Sequence, residues 1–349
     1  MSPGSIGPGG VAAGRGIGFL TGVIAVILAM AALSVASSIV APIFFALFII
    51  AIVWPLQRAL QQRLPQLPAL FVTLVVTIVV IGAVLSFSVW GFTRAGQWII
   101  ANAARFQELY VQKTQWLDDR GIAVAGLFAD SFNVNWLVRI FQGFVLWANN
   151  LAGFSVIAFI FVLLGLLEVD VLARKLVRQG EWGVRLAGAF GEIADKFRRY
   201  MGVRTLMSII TGVVLWAFAA VTGLEPAVAW GMIGFSLNYI PFLGPLIATV
   251  LPTLFAVVQF DSWQSAALVF AGMNLIQFLI GSYLEPRVAG NALAVSPFMV
   301  LFAVFFWSFL WGIPGAFIGV PVLIAVVTLC ETYQSSRWVA DLLSGKDEA

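Results

Sequence analysis

Long apolar runs divided by short polar punctuation set the pattern of this chain. Ile17–Leu33 and Ile39–Trp54 are apolar stretches joined by the short link 34–38, and they predict a helical hairpin with both ends cytoplasmic. Ser34-Val-Ala36 also resembles a signal-peptide cleavage site, but an uncleaved first span fits the hairpin better. Pro55–Pro68 carries Arg58 and Arg63 with no acidic residue, which predicts a cytoplasmic loop before a third span at Ala69–Trp90. Residues 1–16, rich in Gly and Pro, predict a disordered tail, and 17–93 form a block of N-terminal spans suited to a scaffold.

The pattern changes over 94–147. Five basic and four acidic residues alternate with Ile99, Phe106, Leu109, Tyr110, Trp116 and Leu117, a spacing that suits extramembrane amphipathic helices. Gly121 and Ala129–Asn135 interrupt them, and Trp136–Trp147 resumes the pattern. The section reads as a subunit contact, a cap over an entry, or a plain solvated helical pair. Residues 148–204 predict a fourth span, Leu151–Leu167, and then a basic segment. Glu168–Arg204 holds eight basic and five acidic residues, which places it in the cytoplasm with an amphipathic helix over 185–203. Anionic headgroups favour such a helix by about 1 kcal/mol per basic side chain.

The region 205–332 is organised around Asn238–Pro252. After a fifth span, Thr205–Thr222, a short apolar run over 227–240 meets Pro241, Gly244, Pro245 and Pro252. Proline lacks the backbone donor and clashes with the preceding turn, so the helix breaks near Ile240–Pro241. At about 1.5 Å per residue, 227–240 reaches roughly 21 Å, short of a ~30 Å hydrocarbon core. Leu243–Val258, shortened further by Pro252, completes a pair that reads as a re-entrant hairpin. Gln264–Tyr283 is a full span. Ser296–Trp311 and Pro314–Leu329 then form a second broken pair around Gly312, Pro314, Gly315 and Gly319. Two units of one full span plus one broken pair, entering from opposite sides, have the layout of an inverted repeat. Ordinary loops between full spans are the competing reading, and residues 333–349 read as a cytoplasmic tail.

Composition fixes the class. The chain has 349 residues, 61% hydrophobic and 10% charged, with a mean hydropathy of +1.01. A soluble domain carries roughly 25% charged residues, so the prediction is an all-α polytopic membrane protein of about eight membrane segments. The net charge of +3 reflects cytoplasmic loops rather than a nucleic-acid partner. The absence of histidine excludes His-based metal sites and His general bases, and the single Cys330 excludes an internal disulfide. With no P-loop, no H-E-x-x-H and no G-x-S-x-G, the sequence predicts neither an enzyme nor a cofactor.

Few polar groups lie in the apolar regions, and each carries weight. Asn274, Gln277, Gly281 and Glu285 recur at helical spacing and predict a stripe facing protein or water. Glu285 beside Arg287 is a candidate for proton or sodium coupling or, more simply, an interfacial ion pair with Arg287. Asn238 is placed to coordinate a solute or to cap freed backbone groups. Gly272, Gly281, Gly312, Gly315 and Gly319 permit close helix approach.

Phe197-Arg-Arg-Tyr200-Met-Gly-Val-Arg-Thr205, Gly223 with Pro226, and Asn238-Tyr-Ile-Pro-Phe-Leu-Gly-Pro245 together resemble the autoinducer-2 exporter family of bacterial permeases. Pro286-Arg-Val-Ala-Gly290, Ser296-Pro297 and Trp311-Gly-Ile-Pro-Gly315 with Gly319-Val-Pro321 continue the resemblance in order. It is specific over about 190–332 and general over 15–190. The resemblance implies an inner-membrane permease with both termini cytoplasmic, a homo-oligomer, and either export of a small quorum signal or sodium or proton antiport. Relatives often carry an acidic residue soon after the position matching Gln277. Here Ile280 stands there, and Glu285 follows about a turn later.

The sequence therefore predicts a secondary transporter of a small polar solute, with its path at facing tips near Asn238–Gly244 and Gly312–Gly315. An ion-coupled antiporter using Glu285 is the nearer alternative. A non-transporting scaffold acting through 94–147 is the more distant one.

Overall fold

In the computed structural model, the described residues are 8–118, 135–289 and 295–345. They are helical almost throughout, with an isolated β-bridge between Val295 and Ser344. The chain is an all-α polytopic membrane protein. Seven described helices are long and apolar enough to cross a bilayer, and Leu20–Val35 and Ala227–Leu237 are shorter apolar helices.

Helix α1 (Pro8–Val35) bends at Ala36 into α2 (Ser37–Gln61) and does not fold back on it, which corrects the hairpin expected from the short link. With no glycine or proline in 34–38, helical bonds continue across the junction, from Ala36 to the Ala32 carbonyl at 2.8 Å and from Val40 to that of Ala36 at 2.9 Å. The helix begins within the segment expected to be a disordered tail, so 8–16 is corrected to helical. Helix α3 (Gln66–Ala101) runs past the predicted end of its span, and α4 (Ala103–Asp118) follows after Asn102. Gly121 and most of Ala129–Asn135 lie outside the described residues.

Helix α5 (Asn135–Val177) joins the expected amphipathic segment 136–147 to the fourth span in one continuous rod. That corrects the expected division between them. No proline falls between 135 and 177, and an interior glycine costs only about 1 kcal/mol, too little to break a packed helix. Residues 42–54 of α2 pack against α3 and α5 through Ile50, Leu70, Leu74, Val162 and Leu166.

Helix α6 (Glu181–Thr222) is the central post, 42 residues or about 63 Å long. The short α7 (Ala227–Leu237) lies against it at backbone contact. A Cβ on Gly231 would sit 2.7 Å from the Gly212 carbonyl oxygen, and one on Gly212 would sit 2.9 Å from that of Gly231. Such small-residue contacts hold helices together where lipid offers no hydrophobic drive. Helix α8 (Leu243–Phe260) folds back antiparallel to α7, with Trp230 edge-on to Phe255 at 4.5 Å between centroids. It runs unbroken through Pro252, which corrects the shortening expected there. Phe106 and Leu109 of α4 close the far end of this core.

Helix α9 (Trp263–Phe278) packs antiparallel to α6 and ends in a π-helical turn, Leu279–Leu284, before α10 (Glu285–Ala289). Helix α11 (Pro297–Thr332) is two arms, divided at Gly312 by φ 64° and ψ −143°. The arms fold back on each other, because a Cβ on Gly319 would lie 2.8 Å from the Ala303 carbonyl oxygen. In a straight helix those residues would be about 24 Å apart. Helix α12 (Arg337–Leu343) packs on the arm ends through Ala340, within the expected tail.

The two hairpins open toward opposite ends of α6. The open end of α7–α8 is tied to the top of α6 by Gln259, whose Nε2 donates to the Gly223 carbonyl at 2.6 Å. The open end of the α11 hairpin is tied near the bottom. There Lys196 donates to Thr328 at 3.0 Å and to Glu331 at 2.9 Å. Lys196 and Gly223 are about 40 Å apart along the helix.

Candidate functional site

The tip of the first hairpin is Asn238–Phe242. Asn238 is buried and donates its Nδ2 to the Ser208 hydroxyl of α6 at 3.2 Å. Tyr239 donates its hydroxyl to Thr205 at 3.2 Å. Pro241, also buried, accepts from the Leu243 backbone at 2.7 Å, closing a γ-turn around Phe242 at φ 63°, ψ −52°. This turn is rare for a residue with a Cβ and stores about 1–3 kcal/mol. Phe242→Gly is therefore expected to stabilise the fold by about 1 kcal/mol net of glycine's chain entropy. A melting curve in detergent checks this, and a lower melting temperature would contradict it. Pro245 sits in the first turn of α8, where its missing donor leaves no helical hydrogen bond unmade.

One turn below this tip lies a largely buried ion pair. Arg204 donates an Nη to Glu285 Oε1 at 2.6 Å, with the arginine side chain 8% exposed and the glutamate 21%. The Nε of Arg204 is buried without a partner among the described residues. Arg204, Ser208 and Thr211 fall at i, i+4 and i+7 on α6, and all three are buried. The Thr211 hydroxyl and the Gln277 Nε2 are likewise buried and unpaired among the described residues. The antiparallel packing of α9, fixed by Gly272 against Phe218 and Glu285 against Arg204, brings Gln277 level with the Thr211 turn. These side chains define a polar lane between α6, α9 and the first hairpin tip, roughly 10 Å long from Arg204 to Thr211. A groove of about 740 Å³ beside Glu108, Gln112 and Asp261 lies at the other end of the hairpin, away from the lane.

The expected stripe on α9 divides. Gln277 and Glu285 enter the lane. Asn274 faces outward and donates to its own Phe270 carbonyl at 2.8 Å. Three residues of regular α-helix leave Asn274 and Gln277 about 60° apart around the axis, enough to put Asn274 on the outer edge, and the π turn comes only after both. The expected Glu285–Arg287 ion pair is replaced by Glu285–Arg204, and the Arg287 guanidinium lies 3.7 Å over the Tyr283 ring. A Cβ added to Gly281 would meet nothing within 4 Å, so close approach does not explain that glycine.

The second break supplies no polar group to the lane. Gly312, which carries the positive φ, and Pro314 lie at a tip packed near α1 and α2. There Trp311 donates its Nε1 to the Leu33 carbonyl at 3.0 Å and its ring meets Phe44. Gly315 and Gly319 hold the two arms together. The tips therefore do not face each other. The first tip meets the flank of the second hairpin, where Tyr239 stacks on Phe317 at 5.8 Å and Ile240 and Leu243 pack near Ala316 and Val320.

Residues 23–335 match the family model described as AI-2E family transporter. The chain belongs to the AI-2E transporter family. It is 36% identical over 183 residues to the AI-2 transport protein TqsA of Escherichia coli K12, covering 52% of this chain and 53% of that protein. It is 29% identical over 205 residues to a provisionally named transport protein of Borreliella burgdorferi, covering 57% of each. A similarly named protein of Haemophilus influenzae is 25% identical over 233 residues, 64% of this chain and 66% of that one. The chain spans about half the length of the first two relatives. This AI-2E family member is thus a multi-pass membrane protein of a bacterial transporter family. Its Arg204, Ser208 and Thr211 were not singled out from sequence, because Arg204 reads as the cytoplasmic flank of a span. The signal was their i, i+4, i+7 spacing into the apolar run.

Proposed function

We propose that this chain is a secondary transporter of the bacterial cytoplasmic membrane. It moves a small polar solute by alternating access, with both termini cytoplasmic and the protein working as a homo-oligomer. The observation that carries this reading is the pair of helical hairpins that open toward opposite ends of α6 and touch at Tyr239 and Phe317. Broken backbone at membrane depth survives only inside protein or along an aqueous cavity, and the polar lane begins where the first hairpin breaks. The solute passes along Arg204, Ser208, Asn238 and Gln277, and the aromatic contact parts as one hairpin moves against the other. The name of TqsA makes autoinducer-2 the first solute to try.

The test joins the two hairpins. In a Cys330→Ser background, Tyr239→Cys and Phe317→Cys are bridged by a short bis-thiol reagent in proteoliposomes. Autoinducer-2 efflux and a proton-sensitive dye report flux. Loss of flux on bridging, absent in either single-cysteine control, is the expected result. Undiminished flux in fully bridged protein would remove the moving contact, and with it this path.

A further inference from the structure

Arg204 has more donor capacity than its partners, Glu285 and the Tyr200 phenol, use. A guanidinium presents five N–H donors in a planar fork. Glu285 takes a 2.6 Å bond from one Nη, while Nε–H is buried with no acceptor among the described residues. The unpaired Nε–H, beside the Nη that Glu285 holds, belongs to the forked edge on which a planar oxyanion binds bidentately, the geometry arginine satisfies best. Glu285 is also the more accessible partner, at 21% against 8%, so its carboxylate lies on the outer side of the guanidinium. The other charged and titratable groups are Arg287, two residues after Glu285 on α10 and turned over the Tyr283 ring, and the phenol of Tyr200, one turn away on α6. Arg204, Glu285 and Arg287 sum to one positive charge, which favours an anion over a cation here.

The link to Glu285 can be released. The carboxylate comes immediately after the π turn Leu279–Leu284. Relaxing a π turn to α-helix removes one residue from the turn and rotates the downstream residues by about 100°. That rotation carries Glu285 away from Arg204 without unfolding α9.

We propose that Arg204 is the binding group for an anionic solute, a carboxylate or a phosphate, and that Glu285 is its built-in competitor. This rests on the transport reading and adds the charge class of the solute. With Glu285 paired, the guanidinium is closed and its own charge is compensated. With the π turn relaxed, Arg204 is free for the solute's oxyanion, and Ser208 and Asn238 line the next turn of the lane. The Glu285 carboxylate re-forms the pair as the solute leaves.

The experiment measures binding, not flux, on the full chain in neutral-lipid nanodiscs by calorimetry. Acetate and inorganic phosphate are the probes and chloride, which has no oxygen pair, is the control. Glu285→Gln is expected to bind acetate or phosphate about tenfold or more tighter than wild type. Glu285→Asp, which keeps the charge but shortens the reach, should gain less. The Arg204→Gln, Glu285→Gln double variant leaves no buried unpaired charge and should bind more weakly than wild type. That comparison stands even if Glu285→Gln alone fails to fold. Anion binding in the double variant equal to wild type would overturn the proposal. So would a folded Glu285→Gln with no gain, or sodium binding to wild type that Glu285→Gln abolishes. Loss of anion binding beside flux that still responds to the Tyr239–Phe317 bridge would reject the anion site alone. Flux that ignores the bridge would reject the path itself.

Discussion

Gly315→Ala and Gly244→Ala are each expected to abolish transport and to lower stability by about 3 kcal/mol or more. The reason is backbone contact at the two hairpin tips. A Cβ at Gly315 would sit 1.7 Å from the Trp307 carbonyl oxygen, and one at Gly244 would sit 1.9 Å from that of Leu237. A side-chain neighbour could rotate away, but a carbonyl within a helical turn cannot, so the returning arm must move as a whole. Overpacking that forces backbone shifts costs about 1–3 kcal/mol even in a yielding core, and these contacts are far tighter than yielding. Gly82→Ala is the control. Nothing lies within 4 Å of its Cβ position in the middle of α3, so the change should be neutral or stabilise by up to about 1 kcal/mol. Thermal melting and proteoliposome flux of the three variants check this together. Wild-type behaviour in Gly315→Ala would mean that the arms are not packed tip to tip.

The same two glycines mark how far the sequence could be read. Pro241 and Gly312 announced the breaks, because proline and glycine act on the backbone wherever they stand. The equivalence of Gly244 and Gly315, each following its break and lying against a carbonyl on the outgoing arm, reads weakly in sequence and strongly in space. Pro252 misled, since an interior proline ends a helix only if the packing around it does not hold the helix straight. The continuity of α5 was hidden for a related reason. Amphipathic and apolar stretches look like separate elements along the chain, yet one rod can leave the bilayer without a break. Half of the candidate site, Asn238, Gln277 and Glu285, stood out as polar residues in apolar surroundings. Arg204 did not, because a basic residue beside a span normally reads as a flank. Its partner was also misassigned from proximity in sequence, and a π turn that no local propensity signals decided the matter. The contact between α6 and α10 joins residues 81 apart, and periodicity within one helix cannot reveal it.

Arg204→Met alone and Glu285→Leu alone should each destabilise the protein by about 3–5 kcal/mol, while the two together should come within about 1–2 kcal/mol of wild type. Removing one partner leaves an uncompensated charge in a site where the arginine is 8% exposed, too enclosed for bulk solvent to compensate it. Removing both leaves two apolar side chains of similar volume between α6 and α10, which commonly matches or exceeds a buried pair in stability. The coupling energy from the four melting or denaturant curves should therefore be large and favourable. Function should not follow stability. The double variant is expected to fold and to fail in flux, because the lane has lost the only charged donor it holds among the described residues. Near-wild-type flux in that folded double variant would make the pair a structural clasp and leave the hairpin tip, Asn238 and Ser208, to carry the solute alone. Additive single effects would mean instead that Arg204 and Glu285 find other partners when separated, and the competition between glutamate and solute would lose its physical basis.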